Sequence, residues 1–204
     1  MGTDYDLSGK TAVVTGGGRG IGRAIALAFA DAGADLAIVA RTFSEIDEVG
    51  ELIRKKGCKG VPVTADLTIP ENVDAAVKVI TYEFGQVDIL VNNAGGATSR
   101  SKITESRRDD WLAAVRLNID SVYLMTSALV SSMKRGSKII NVGSGMGHSS
   151  GNSNSSYRVG KAGVWMLTQC MSEEFWEQGI EVNELVPGPV ITDATKEFLE
   201  VGGP

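Results

Sequence analysis

The residues best placed to do chemistry lie in SSYRVGKAG, positions 155–163. Tyr157 and Lys161 stand four apart at the head of an apolar run, so on a helix they share one face. A phenol beside an amine can form half of a proton-transfer site. The same spacing also occurs on ordinary helix faces, and this stretch alone leaves both readings open. A second stretch, TGGGRGIG at 15–22, follows a short apolar run and precedes a helical pattern. Glycines at a strand-to-helix turn let the backbone approach a pyrophosphate, and the helix that follows offers free N–H groups and a positive dipole end. The strict GxGxxG pattern is absent; the usable spacing is Gly16, Gly20 and Gly22. Placement between a strand and a helix favours dinucleotide binding over a turn that serves packing alone.

About 20 residues beyond such a turn, many NAD-binding folds carry an acid that holds the ribose 2′-hydroxyl. This chain has Ala40 followed by Arg41 there. Arg41 and Arg19 could both reach a 2′-phosphate, which suits a forked guanidinium. The cofactor reading is therefore NADP(H), with NAD(H) the alternative; Arg41 could otherwise simply lie along the strand end.

These residues need elements to hold them. Short β-branched runs at 11–15, 35–40, 60–65, 88–95, 137–144 and 180–188 read as six strands. Helical patterns at 20–33, 44–56, 70–85, 108–134 and 157–178 lie between them. Strand and helix in alternation, with strands this apolar, predict an α/β fold, a doubly wound parallel sheet covered on both faces. No linker or internal repeat interrupts the pattern, so residues 1–204 read as a single domain. The Ser/Asn/Gly-rich piece 144–156 is a loop at the carboxyl end of strand five, where ligands bind in such sheets, and it leads straight into Tyr157.

Composition narrows the partners. A net charge of −5 and a pI near 5.0 argue against nucleic acid or an anionic membrane surface. No run of 18 apolar residues exists, and the polar N-terminus MGTDYDLSGK has no apolar signal segment. The localisation read from this is cytoplasmic. Cys58 and Cys170 stand far apart without a CxxC and read as two small buried residues of a reducing compartment; no metal site is expected.

In sum the motifs resemble those of the short-chain dehydrogenase/reductase family from the first strand to about residue 195. They are TGGGRGIG at 15–22, Asp66-Leu67, NNAG at 92–95, Asn118, Ser144, Tyr157-x-x-x-Lys161, and Pro187-Gly188 with Thr192, in order. The resemblance implies a Rossmann fold and an NAD(P)-dependent oxidoreductase that interconverts a ketone and a secondary alcohol. It implies a catalytic tetrad of Ser144, Tyr157, Lys161 and Asn118. Tyr157 is the implied acid/base; a free phenol has a pKa of about 10, and the Lys161 ammonium would favour phenolate. Lys161 would also hydrogen-bond the nicotinamide ribose, Ser144 would hold the substrate oxygen, and Asn118 would anchor a water that links Lys161 to solvent. The implied cofactor contacts are Gly16, Arg19, Gly20, Ile21 and Gly22 at the turn and Arg41 at the strand end. Asp66 and Leu67 would border the adenine, Asn93 and Gly95 the adenosine ribose, and Val190 and Thr192 the carboxamide. Asn92 reads as a sheet brace. A small carbonyl or alcohol substrate follows, among them a 3-oxoacyl thioester, a sugar or polyol ketone, or a steroid-like ketone. A non-catalytic nucleotide-binding regulator is the alternative, and an incomplete fold that binds nothing is a third reading.

His148, the only histidine, lies in the loop beside the site and reads as pocket lining or solvent-exposed. The basic stretch 99–108 reads as a solvated loop, and Trp111, Trp165 and Trp176 as packing residues. The faces of 108–134 and 157–178 could join subunits into a homodimer or homotetramer, as in the family, or be buried against the sheet. The sequence stops at Pro204, whereas family members usually continue into a substrate-covering lid, another helix and a seventh strand. A chain this short is expected to leave strand six an exposed edge and the pocket short of a wall.

Overall fold

The first strand, β1 (Thr11–Thr15), is TAVVT, with Ala12, Val13 and Val14 fully buried. Both faces of a strand this apolar must be covered, and both are. The computed structural model describes residues 5–97 and 101–192; residues 98–100, which include the first two of the basic stretch, and the lid segment 193–204 lie outside them. From β1 the chain enters α1 (Gly20–Asp31), β2 (Asp35–Ala40), α2 (Phe43–Lys55), β3 (Gly60–Thr64), α3 (Pro70–Phe84) and β4 (Val87–Asn92). It continues through α4 (Arg108–Leu129), β5 (Met133–Val142), α5 (Ser155–Glu174) and β6 (Glu181–Leu185). The strands form one parallel sheet in the order β3-β2-β1-β4-β5-β6. The order reverses between β1 and β4, which opens a crevice at their carboxyl ends. Pro62 is tolerated because β3 is an edge strand.

The two-residue period of the strands divides the core. Ala12, Val14, Leu36 and Ile38 pack with Ala26 and Ala30 of α1 and with Ile46, Val49 and Ile53 of α2. Val13, Ala37, Val39 and Leu90 face the other way, onto Val73, Ala76 and Ile80 of α3, Met125 and Leu129 of α4, and Val164 and Met171 of α5. A buried polar ladder crosses this second layer. Asn92 Nδ2 donates to Thr126 Oγ1 on α4 and to Asn141 Oδ1 on β5, both at 2.9 Å. Asn141 Nδ2 donates to Thr168 Oγ1 on α5 at 2.9 Å. Asn92 thus braces the sheet, and the ladder fixes how α4 and α5 sit over the strand ends. The two helices approach closely because Gly160 faces Asn118 and Gly163 faces Ile119, where a Cβ would stand 2.8 and 2.7 Å from the facing side chains.

Several boundaries differ from the sequence reading. The fourth helix ends at Leu129 rather than 134, and after a 3-10 turn at Val130–Ser132 the fifth strand already starts at Met133. A register shift between Val87 and Ile89 accommodates the extra length. Ser137 Oγ fills the bulge: it accepts from Lys134 N and donates to Val87 O. The sixth strand closes at Leu185, because the Pro-Gly stretch that follows cannot extend the ladder. Cys170 is exposed rather than buried, since α5 turns it away from the sheet; Cys58 is half-buried, its Sγ 3.4 Å from Ala30 O. Trp176 lies past the end of α5 and is exposed, so it is not a packing residue.

Candidate active site

The turn after β1 is built for a close approach. Gly16 and Gly20 hold φ of 62° and 54°, a region that favours glycine. A Cβ on Gly22 would overlap the Gly16 carbonyl oxygen, so α1 can press against the turn only with glycine there. No side chain caps α1, and its first turn carries no acid. Its N-terminal N–H groups and dipole therefore face the crevice unneutralised. Arg19 is exposed and half-buried Ile21 follows it. These residues fit a dinucleotide pyrophosphate.

The other sequence-predicted cofactor residues gather around the same crevice. Arg41 is exposed just past β2. Burial pushes the Asp66 carboxyl up, but bonds from Thr68 N at 3.0 Å and Thr68 Oγ1 at 2.7 Å, with the Arg41 charge nearby, outweigh it and hold it below the usual carboxylate range. Leu67 is buried. Asn93 ties the crevice together: its Nδ2 donates to Thr15 O at 2.9 Å and to Gly16 O at 3.2 Å. Thr192 comes back across from the β6 end to lie against Gly20, and Val190 is exposed along that path.

Lys161, Tyr157 and Asn118 come together near the carboxyl end of β4, and Ser144 lies two residues past the end of β5. Lys161 is 4% exposed, and its Nζ donates to Val142 O at 2.6 Å. Burial pulls its pKa from 10.5 down to about 8, with the Glu184 charge working in the opposite direction. Its Nζ lies 5.9 Å from the centroid of the Tyr157 ring. A Cβ added at Gly95 would stand 2.7 Å from Asn118 Oδ1 and 3.1 Å from Lys161 Nζ, so both groups converge on that glycine. The Asn118 side chain is fully buried and occupied. Its Nδ2 donates to Gly96 O and Ala114 O, and its Oδ1 accepts from Gly96 N. It clamps the β4 turn to α4. Ser144 Oγ accepts from Met146 N at 3.2 Å and caps a 3-10 turn at Gly145–His148. Accepting leaves the hydroxyl proton available for a ligand oxygen.

Some participants escaped the sequence reading. Arg158 clasps the loop ahead of α5, its Nε donating to Ser153 O and its guanidinium to Ser149 O. Trp111 Nε1 donates to Ser155 Oγ at 2.9 Å and ties α4 to the start of α5. Glu184 on β6 pairs with His148 at 2.9 Å. Its signal was present: Val182 is buried in the layer that packs on α5, and Glu184, two residues on, shares its face.

A doubly wound parallel sheet with a glycine turn at its switch point and a Tyr–Lys pair beside it defines an NAD(P)-dependent oxidoreductase. The short chain dehydrogenase family model matches residues 10–201. A 3-oxoacyl-[acyl-carrier-protein] reductase of Vibrio cholerae is 37% identical over 193 residues, which are 94% of this chain and 78% of that protein. A 2-dehydro-3-deoxy-D-gluconate 5-dehydrogenase of Escherichia coli is 36% identical over 95% of this chain and 77% of its own length. A short chain dehydrogenase from Burkholderia cenocepacia, solved in complex with NADP, superposes with a TM-score of 0.88 at 33% identity and covers 93% of this chain and 78% of that one. This chain belongs to the short-chain dehydrogenase/reductase family, and it is an NAD(P)-dependent enzyme of that family acting on small molecules. Among the described residues no helix is long and apolar enough to cross a membrane.

Proposed function

We propose that the chain is an NADP(H)-dependent carbonyl reductase that uses Tyr157 as its acid and takes a 3-oxoacyl thioester as substrate. The observation that carries this reading is the buried Lys161 ammonium set beside the Tyr157 ring on one face of α5. The glycine turn and the α1 N-terminus would hold the pyrophosphate, and Arg19 and Arg41 the 2′-phosphate. A bound nicotinamide supplies the hydride. Ser144 donates its hydroxyl proton in a hydrogen bond to the substrate carbonyl oxygen, where negative charge grows as the carbon is reduced. Tyr157 gives that oxygen its phenolic proton, so the alcohol leaves neutral and the phenolate stays behind. The Lys161 ammonium stabilises that phenolate. Asn118, whose side chain is already taken by Gly96 and Ala114, holds the β4 turn against α4 and so keeps the wall beside Lys161 in place; the proton returns to Tyr157 from solvent.

The acyl thioester is favoured by the Vibrio cholerae relative, and a sugar-acid ketone, favoured by the Escherichia coli one, is the second reading. Tyr123 on α4 and Val159, Trp165 and Met166 on α5 are exposed, which supports pairing of these helices between copies in a homo-oligomer. Tyr157→Phe is the test. The expected result is turnover lost by about 100-fold or more with NADPH affinity kept. Unchanged turnover would remove Tyr157 from the chemistry, and NADPH binding without turnover of any ketone by the unaltered chain would favour a nucleotide-binding regulator.

A further inference from the structure

Glu184 is the acidic group that the mechanism above leaves unused. Its side chain is only 10% exposed. One oxygen, Oε2, meets His148 Nε2 at 2.9 Å. The other, Oε1, is fully buried with no hydrogen-bond partner. It lies against the backbone of Gly143, and a Cβ there would overlap it. Gly143 directly precedes Ser144, and its N–H donates to Leu185 O on β6. The carboxylate therefore sits under the start of the Ser144 loop, and His148, at the end of the 3-10 turn that Ser144 caps, closes over it. The His148 ring in turn stands edge-on to Trp165 of α5 at 5.4 Å.

A carboxylate buried with a lone oxygen is costly unless a positive charge is near. The charge environment of Lys161 answers this. On its own helix Tyr157 stands with its ring centroid 5.9 Å from Lys161 Nζ, and Arg158 is turned away to Ser149 and Ser153. From α4 comes Asn118 and from the β4 turn Gly95, both uncharged; β5 offers the Val142 carbonyl. The loop brings His148, and β6 brings Glu184. Lys161 Nζ is bonded to Val142 O, and Glu184 Oε1 packs on Gly143, the next residue, so the carboxylate charge lies near enough to favour the buried ammonium.

We propose that Glu184 is a positioning residue of this active site: through His148 it ties down the loop that carries Ser144, and, packed on Gly143 next to the Val142 carbonyl that Lys161 Nζ holds, its carboxylate sets the surroundings of Lys161. The consequence for turnover rests on the proposed Tyr157 mechanism; the effect on Lys161 does not. The pair also explains Gly143, since any larger residue would displace the carboxylate.

The test is an NMR titration of Lys161 in chain labelled with 13C at the lysine ε carbons, its signal assigned by its loss in Lys161→Met. Glu184→Gln keeps the shape and removes the charge. The expected result is a Lys161 midpoint lower by about half a pH unit or more, while Glu181→Gln, on the same strand but paired with Lys138 at its exposed far end, leaves it in place. Turnover of Glu184→Gln falls, and the alkaline limb of its pH profile moves to lower pH with KM for NADPH held. His148→Ala lowers kcat with a smaller change in the midpoint. An unmoved midpoint in Glu184→Gln overturns the proposal, even if the variant melts at a lower temperature. If Glu184→Gln does not fold, Glu184→Asp decides: it retains the charge, so a midpoint that drops overturns the proposal and one that stays while kcat falls supports it. A midpoint shift in a chain that reduces no ketone upholds Glu184 and refutes the reductase reading instead.

Discussion

Lys161→Met removes a buried charge and leaves a side chain of similar length and shape. In the folded chain the Lys161 ammonium loses its proton near pH 8, against 10.5 for the ordinary group. The cause is burial: at 4% exposure the ammonium has given up its water. The gap of about 2.5 pH units converts, at about 1.4 kcal/mol per unit, to about 3.5 kcal/mol of destabilisation by the charged form. The sign follows from proton counting. Between pH 8 and 10.5 the unfolded chain still holds the proton that the folded chain has released, so stability from this group rises as pH climbs through that window. Below pH 8 the whole cost is present; above 10.5 it is absent. Methionine also abandons the bond to Val142 O, which returns about 1–2 kcal/mol of loss. Lys161→Met should therefore be more stable than the unaltered chain by about 2 kcal/mol at pH 7. That advantage should shrink above about pH 8 and reverse between about pH 9 and 10, and the variant should be inactive. Urea denaturation at several pH values reads it directly. Equal or lower stability at pH 7, with a flat difference between pH 7 and 10.5, would refute the burial argument.

Gly22→Ala places a Cβ against Gly16 O and 2.5 Å from Asn93 Nδ2. It should cost about 1–3 kcal/mol and weaken NADPH binding, read by thermal melts and fluorescence titration. Arg41→Ala should raise the Kd for NADPH by about 10-fold or more while leaving that for NADH nearly unchanged; equal effects on both would sink the 2′-phosphate role. Asn118→Ala frees Gly96 N and O and Ala114 O together, and should lower stability by about 2 kcal/mol with a fall in kcat.

The alternation of strand and helix was legible because burial on both faces leaves an unbroken apolar run, as in TAVVT and DLAIVA. The glycine turn was legible because Gly16, Gly20 and Gly22 answer a backbone demand that few other residues meet. The fifth strand was misread at its start because Met133 lies in a bulge held by Ser137, and that pairing with Val87 spans 50 residues of sequence. At the site, spacing within one helix put Tyr157 and Lys161 on a shared face, while their roles came only from the resemblance of the whole motif series. Glu184 could not be weighed the same way, because its meaning depends on His148 across 36 positions and on the bare backbone of Gly143. Likewise Gly160 reads as a neutral gap between Tyr157 and Lys161, yet it is the point where α5 touches Asn118.

The most direct test of the account is transfer of a labelled hydride. NADPH carrying deuterium at its transferable C4 position, prepared as both epimers, is mixed with the chain and a 3-oxoacyl thioester, and the alcohol is analysed by mass spectrometry. The account predicts one deuterium at the carbinol carbon from one of the two epimers, and none of that product from Tyr157→Phe. Alcohol formed without deuterium from either epimer, or formed equally well by Tyr157→Phe, would contradict it.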